Sequence, residues 1–313
     1  MRSNPVTVAI HYSSYGAQWR DMLAERLAGF EIRLWPEWGN LEEIDYAIAW
    51  TPPDGLLMRC ENLKAVFSIG AGVDQLLADP DYPRHVPLIR MTDDVLAEGM
   101  AEYVTTAVMA LHRDLLKYLD LQKRTVWQPL AQRYPGDHTV GIMGLGKLGQ
   151  AAALALRPFG FQLSGWSRTP KQLDDVKSFA GPEQLPEFLA PLDFLVVLLP
   201  LTDDTRGMVN ADLLASLPTG ASVINAARGP LVDIETLKPM LDGGALGHLW
   251  LDVHHAEPLP ADHWTWAHPD VVVTPHIAAA TLPRTASNLV ADGILQMEAG
   301  QMPANLVKFD KGY

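Results

Sequence analysis

Between residues 139 and 149 the chain reads TVGIMGLGKLG, an apolar strand-like run that breaks into glycines at 144, 146 and 149. Few local patterns restrict a fold so strongly. Gly144 permits a tight turn, Gly146 lets the backbone come close to a phosphate, and Gly149 lets a helix sit against the strand before it. The amides of Lys147 and Leu148 then open a helix whose N-terminal dipole attracts an anion. A second apolar run, FQLSGWS, follows at 161–167. Strand, glycine turn, helix and strand together make a βαβ unit of the kind that holds a dinucleotide.

Such a unit usually places an acidic residue at the end of its second strand, about 20 residues on, to hold a ribose hydroxyl. This chain offers Ser167, Arg168, Thr169 and Lys171 instead. A carboxylate there would repel the extra 2′-phosphate of NADP, whereas hydroxyls and cations attract it. Arginine can give that phosphate two parallel charge-assisted bonds. The expected cofactor is therefore NADP(H), with NAD(H) as the alternative.

The rest of the chain continues the alternation. VTVAIHY, EIRLW, YAIAW, AVFSIG and PLIRM read as strands separated by helix-compatible segments such as AQWRDMLAERLAG. A long helix is predicted over about 94–120, with Val104, Val108, Leu111 and Leu115 on one face and Thr92 or Asp93 as its cap. A second series follows with TVGIMG, FQLSGWS, DFLVVLLP, ASVINA, LGHLWLDV and VVVTP. The continuous apolar character of FLVVLLP and VVVTP suits strands covered on both faces. A closing helix from about residue 284 is expected to pack back on the first series. The fold class that follows is α/β, with two Rossmann-like domains built on parallel sheets and the cofactor domain inserted into a flavodoxin-like substrate domain. The expected boundaries are 1–104 with 284–313 for the substrate domain, and 105–283 for the dinucleotide domain.

Composition narrows the partners. A length of 313 residues suits about two domains. Lys and Arg number 24 against 37 Asp and Glu, a formal charge of −13, which argues against nucleic acid and anionic membranes. Cys60 is the only cysteine, so no internal disulfide or cysteine-rich metal site can form. No run approaches the roughly 18 apolar residues of a membrane span. The opening segment is too short for a secretory signal. A soluble, cytoplasmic protein is expected.

Three charged residues fall at or just after predicted strands of the second series, where open α/β sheets place their sites. They are Arg228 in INAARGPL, Glu257 in LDVHHAEPLP and His276 in VTPHIAAAT. In the first series, SIGAGVD sets Ala71 and Gly72 in a small-residue turn whose amides can point at an anion. His254, His255, His263 and His268 lie close in sequence but lack the cysteine or acidic spacing of a metal site, and no metal is expected.

The segments GLGKLG, LPLTDDTRGMVN, NAARGPLVD, LDVHHAEPLP and TPHIAAAT occur in the order and spacing of the D-isomer-specific 2-hydroxyacid dehydrogenases. The chain resembles that family over essentially its whole length. With GAGVD at 70–74 and AIAWTPP at 47–53, it looks most like the glyoxylate/hydroxypyruvate reductase branch. The resemblance implies that a reduced nicotinamide gives hydride to a 2-keto acid while His276 donates a proton to the carbonyl oxygen. Glu257 would pair with His276 and raise its pKa, and Arg228 would hold the substrate carboxylate. Trp50 and the amides of Ala71 and Gly72 would line the substrate site. Asp252 would receive the nicotinamide carboxamide, and Leu199, Pro200, Thr205 and Ala226 would border the cofactor.

The resemblance also implies a homodimer, with the long helix near 94–120 and the nearby VWQPLAQRY as a candidate arm. His254 and Trp250 depart from the residues common in the family at those places. A non-catalytic cofactor sensor on the same fold and a D-lactate-type dehydrogenase are the competing readings.

Overall fold

In the computed structural model, residues 5–12 and 15–309 are described. The chain divides into Met1–Leu96 with Ala280–Tyr313, and Ala97–Ala279; the sequence reading had set the breaks after 104 and 283. The first break falls near the start of one continuous helix, Asp94–His112.

The first unit forms around short strand runs, four of them largely buried and one, EIRL at 31–34 on the sheet edge, only partly so. Its strands are β1 (Thr7–His11), β2 (Glu31–Leu34), β3 (Ile44–Ala49), β4 (Ala65–Ser68) and β5 (Leu88–Ile89). They are parallel in the order β2-β1-β3-β4-β5, the flavodoxin-like arrangement. Every residue of β3, the central strand, is buried. Helices Gly16–Arg26 and Pro283–Glu298 belong to this unit. Arg26 donates to Asn288 Oδ1 at 2.9 Å, and the Tyr46 hydroxyl to Glu298 Oε1 at 2.6 Å. The closing helix thus packs on the first series as its sequence suggests. Trp38, Leu57, Val73 and Leu76 fill the core around Cys60, which is 3% exposed. Burial pushes the Cys60 thiol up to about 11.

The second unit has seven parallel strands: β6 (Thr139–Met143), β7 (Gln162–Ser167), β8 (Val176–Ala180), β9 (Phe194–Val197), β10 (Ala221–Asn225), β11 (Leu246–Leu251) and β12 (Val271–Val273). Their order is β12-β11-β10-β9-β6-β7-β8, so the strand sequence reverses between β6 and β9 as in a doubly wound sheet. One face packs Val140, Ile142, Val196 and Ile224 with Val104 and Val108 of the long helix. The other packs Met143, Val197, Val223 and Leu249 with Phe188 and Leu237.

One local expectation is corrected, and one strand is added. The helix placed over about 94–120 is two helices, Asp94–His112 and Leu115–Lys123, broken at Asp114, whose φ of +53° is left-handed. Apolar periodicity runs through the break because it reports burial and not backbone handedness. Asp93 caps the first helix, its Oδ1 accepting from the Val95 amide at 3.1 Å. Strand β8 went unread because VKSFA is half polar, as befits the edge of a sheet.

Candidate active site

The glycine turn follows β6. Gly144 has φ +111° and donates to Trp166 O at 2.8 Å, fixing the strand end to β7. A Cβ on Gly149 would lie 1.9 Å from Gly144 O, so the helix Lys147–Leu156 sits directly on the turn. Gly146, the residue capping that helix, meets nothing within 4 Å where its Cβ would stand. Open space at a helix N-terminus beside a bare backbone fits a pyrophosphate.

The turn after β7 is closed by the Ser167 hydroxyl, which donates to Thr169 O at 2.7 Å. That proton is spent inside the turn. Arg168, Thr169 and Lys171 are exposed beside it. On the other side of β6, Leu199 and Pro200 follow β9, with Leu199 buried. The Thr205 hydroxyl donates to Pro200 O at 2.7 Å and accepts from the Thr202 amide at 2.9 Å, making the 200–205 loop a closed turn. Ala226, directly after β10, is buried. The cofactor-site residues read from the sequence therefore follow the C-terminal ends of β6, β7, β9, β10 and β11, with Asp252 on the last.

Arg228, Glu257 and His276 follow β10, β11 and β12, three neighbouring strands. His276 Nδ1 donates to Glu257 Oε2 at 2.7 Å. Glu257 Oε1 accepts from the His254 amide at 2.9 Å. Burial alone would raise the Glu257 carboxyl, but the His276 bond, the His254 amide and the nearby imidazole charges outweigh it and hold the group below its usual range. Arg228 is half-buried, and its Nη1 donates to Ala227 O at 2.7 Å. The Asn225 side chain braces this loop, donating to Arg228 O and accepting from the Ala227 amide. The next residue, Gly229, touches the other loop: a Cβ there would lie 2.1 Å from His254 C. The Arg228 loop therefore lies against the loop that carries Glu257.

The fully buried Asp252 ties His276 to the sheet. Its backbone carbonyl accepts from the His276 amide at 2.8 Å, while its carboxylate accepts from the amides of Ile277 and Ala278 at 2.9 and 2.8 Å. Thr274 adds a hydroxyl bond to Oδ1 at 2.6 Å. These bonds hold His276 at φ +56°, a left-handed conformation that a non-glycine residue adopts only when its surroundings impose it. Thr274 and Tyr103, which joins this network, were not read from the sequence. Thr274 lies two residues before His276 and could have been suspected; Tyr103 sits in a helix with nothing local to mark it.

The residues at 254 and 250 both join hydrogen bonds of this site. Trp250 donates its indole N–H to the Tyr103 hydroxyl at 2.8 Å, and His254 supplies the amide that binds Glu257. His254 is kept below the usual histidine range by burial. His255 meets Val232 O at 3.0 Å and His268 meets Asp242 at 3.1 Å. Among the described residues, no three His, Cys, Asp or Glu side chains gather as a metal site.

In the first unit, Trp50 follows β3 and its ring lies across Gly70, where a Cβ would be 2.2 Å from the ring. Gly70 opens the turn carrying Ala71 and Gly72. Its own amide donates to Ser68 Oγ at 3.3 Å and its carbonyl accepts from Met91 at 3.2 Å. Ala71 and Gly72 are both half-exposed.

Comparison with known proteins agrees with this geometry. The model of the D-isomer specific 2-hydroxyacid dehydrogenase NAD-binding domain matches residues 105–278. Glyoxylate/hydroxypyruvate reductase A of Serratia proteamaculans (strain 568) is 42% identical over 301 residues, covering 95% of this chain and 96% of its own. A D-isomer specific 2-hydroxyacid dehydrogenase from Xanthobacter autotrophicus Py2, solved with NADPH and MES, superposes with a TM-score of 0.94 at 41% identity, covering 99% of this chain and 100% of that one. The NADPH-dependent glyoxylate/hydroxypyruvate reductase of Sinorhizobium meliloti, solved with NADP and sulfate, gives a TM-score of 0.94 at 37% identity, covering 98% and 100%. A glycine turn, a reversed strand order and an imidazole–carboxylate pair at neighbouring strand ends thus have one common source: this chain is a member of the D-isomer specific 2-hydroxyacid dehydrogenase family, NAD(P)-dependent oxidoreductases.

Proposed function

We propose that the protein reduces small 2-keto acids, glyoxylate and hydroxypyruvate, to 2-hydroxy acids with NADPH. The observation that carries the reading is the 2.7 Å bond between His276 Nδ1 and Glu257 Oε2. With Nδ1 committed to the carboxylate, Nε2 is the nitrogen that can hand a proton to a substrate. A reduced nicotinamide, when bound, supplies hydride to the carbonyl carbon. His276, protonated on both nitrogens, donates from Nε2 to the carbonyl oxygen as negative charge builds there, and a solvent proton restores the ring afterwards. Glu257 fixes the orientation of the ring. Arg228 holds the substrate carboxylate with a planar fork that a lysine would not reproduce. In the first unit, Trp50 and the amides of Ala71 and Gly72 are proposed as substrate-binding groups.

On this reading residues 105–283 hold the dinucleotide and residues 1–104 with 284–313 hold the substrate. The exposed Arg168 and Lys171 favour NADPH over NADH, in keeping with the cofactors held by the relatives from Xanthobacter and Sinorhizobium. Asp252, whose Oδ2 accepts from Ala278, is proposed to receive the carboxamide. Leu115, Leu119 and a fully exposed Trp127 support a homodimer through the segment after the long helix. A cytoplasmic location is part of the proposal. Among the described residues no helix is long and apolar enough to cross a membrane.

The test is a panel of small 2-keto acids with each reduced cofactor, followed by absorbance. Consumption of NADPH with glyoxylate or hydroxypyruvate, in preference to NADH and to pyruvate, is expected. No turnover with any keto acid would leave a cofactor-binding protein, and a preference for pyruvate would favour the D-lactate-type reading.

A further inference from the structure

We propose that Tyr103 is a positioning residue for His276, acting through Thr274 and Asp252 from the long helix Asp94–His112. The inference rests on the reading of His276 as the proton donor. The Tyr103 hydroxyl lies 2.5 Å from Thr274 Oγ1 and accepts the Trp250 indole N–H at 2.8 Å. Thr274 Oγ1 lies 2.6 Å from Asp252 Oδ1.

The direction of each bond follows from counting protons. A carboxylate can only accept, so Thr274 donates its single hydroxyl proton to Asp252. Tyr103 must then be the donor to Thr274, and its oxygen is left to accept from Trp250. Burial pushes the Tyr103 phenol up to about 12, so it keeps the proton this arrangement needs. Three bonds run one way, from indole to phenol to hydroxyl to carboxylate, and such aligned chains polarise one another.

The endpoint is the carboxylate that holds the amides of Ile277 and Ala278, the two residues after His276, whose own amide donates to the Asp252 carbonyl. His276 sits at φ +56°. A backbone held in an unfavoured region relaxes once its anchors loosen. Tyr103 therefore fixes where the imidazole stands without touching substrate or cofactor, and it explains why a tryptophan at 250 suits this chain: the indole is the first donor of the relay.

The experiment compares wild type, Tyr103→Phe, Trp250→Phe and the double variant. Tyr103→Phe removes the central link and should lower kcat about tenfold, the effect of losing one buried hydrogen bond at a reacting geometry. KM for hydroxypyruvate and for NADPH should stay within about twofold, because no binding group is removed. The pH profile of kcat should move as well, which a purely structural role would not cause. Trp250→Phe should give a smaller loss of the same kind, and the double variant should be no worse than Tyr103→Phe, since the chain is already broken.

An unchanged kcat with a lowered melting temperature, or losses that simply add, would overturn the proposal. If Tyr103→Phe does not fold, Trp250→Phe alone decides by the same kcat and pH criteria. If wild type turns over no keto acid, the functional reading has failed, and the relay is judged by NMR of the histidine rings, with the His276 signal assigned through His276→Asn. A displaced His276 signal in Tyr103→Phe supports the relay; an unmoved one overturns it.

Discussion

Substituting alanine at two glycines of one turn should separate folding from cofactor binding. At Gly149 the added Cβ would lie 1.9 Å from Gly144 O, whereas an ordinary carbon–oxygen contact is about 3.3 Å. Helix Lys147–Leu156 and the end of β6 would have to part by more than roughly 1 Å, an overpacking cost of about 3 kcal/mol. In a unit of this size that corresponds to a melting point lower by roughly 6–12 °C. Gly146 behaves differently. Its φ of −73° and ψ of −170° suit any residue, and its Cβ would meet nothing within 4 Å.

Gly146→Ala should therefore fold with at most about 1 kcal/mol of lost capping. The new methyl group would instead stand where the backbone must approach a pyrophosphate. A clash of about 1–3 kcal/mol there weakens NADPH binding roughly ten- to hundredfold. The assay pairs thermal unfolding with NADPH titration followed by fluorescence. Wild-type NADPH affinity in Gly146→Ala would refute the phosphate cradle. A wild-type melting point in Gly149→Ala would refute the packing argument.

Other expectations concern charge. His276→Ala should lower turnover by roughly 10²–10⁴ with the protein still folded, as judged by circular dichroism. Glu257 stays ionised to a lower pH than an ordinary glutamate because its carboxyl is held low; Glu257→Gln, which removes the carboxylate that orients His276, should slow reduction at neutral pH, read from kcat. Arg168→Ala should cut kcat/KM with NADPH about ten- to hundredfold while altering NADH use little, the loss expected for a charge-assisted bond; equal losses would remove Arg168 from phosphate recognition. His112 is buried against His138 and Phe161, with ring centroids 5.3 and 5.2 Å away, and burial together with the charges of His138, Arg113 and Arg133 lowers its pKa. The unfolded chain then binds more protons than the folded one, so this contribution is complete above about pH 6.5 and is lost on acidification. Melting curves from pH 7.5 to 5 should show a shallower decline in His112→Phe than in wild type.

Much of this architecture was legible because its signals are local. Glycine spacing, an apolar strand and the residues after it specify the dinucleotide turn without long-range information, and 144, 146 and 149 take the three positions those roles require. Strands buried on both faces, such as FLVV at 194–197, announce themselves by continuous apolar character. What escaped depends on geometry that composition does not carry. Asp114 reverses handedness within an unbroken apolar period, and β8 is too polar to stand out. The Ser167 hydroxyl closes its own turn on Thr169 O, a contact that no motif spacing announces. Tyr103 is 171 residues from Thr274 in sequence, and no spacing rule joins a helix face to a strand end at that separation.

The single thiol in the first unit offers a chemical clock. Cys60 holds its proton at neutral pH and is walled in by Leu57, Val73 and Leu76, so a disulfide reagent can react only when that unit opens. Its labelling rate measures the opening equilibrium of one half of the molecule in the presence of the other. Adding NADPH, which on the proposed function docks on the half that lacks the thiol, then asks whether that ligand changes how often the thiol-bearing unit opens. The answer comes from a colorimetric trace on the unaltered protein.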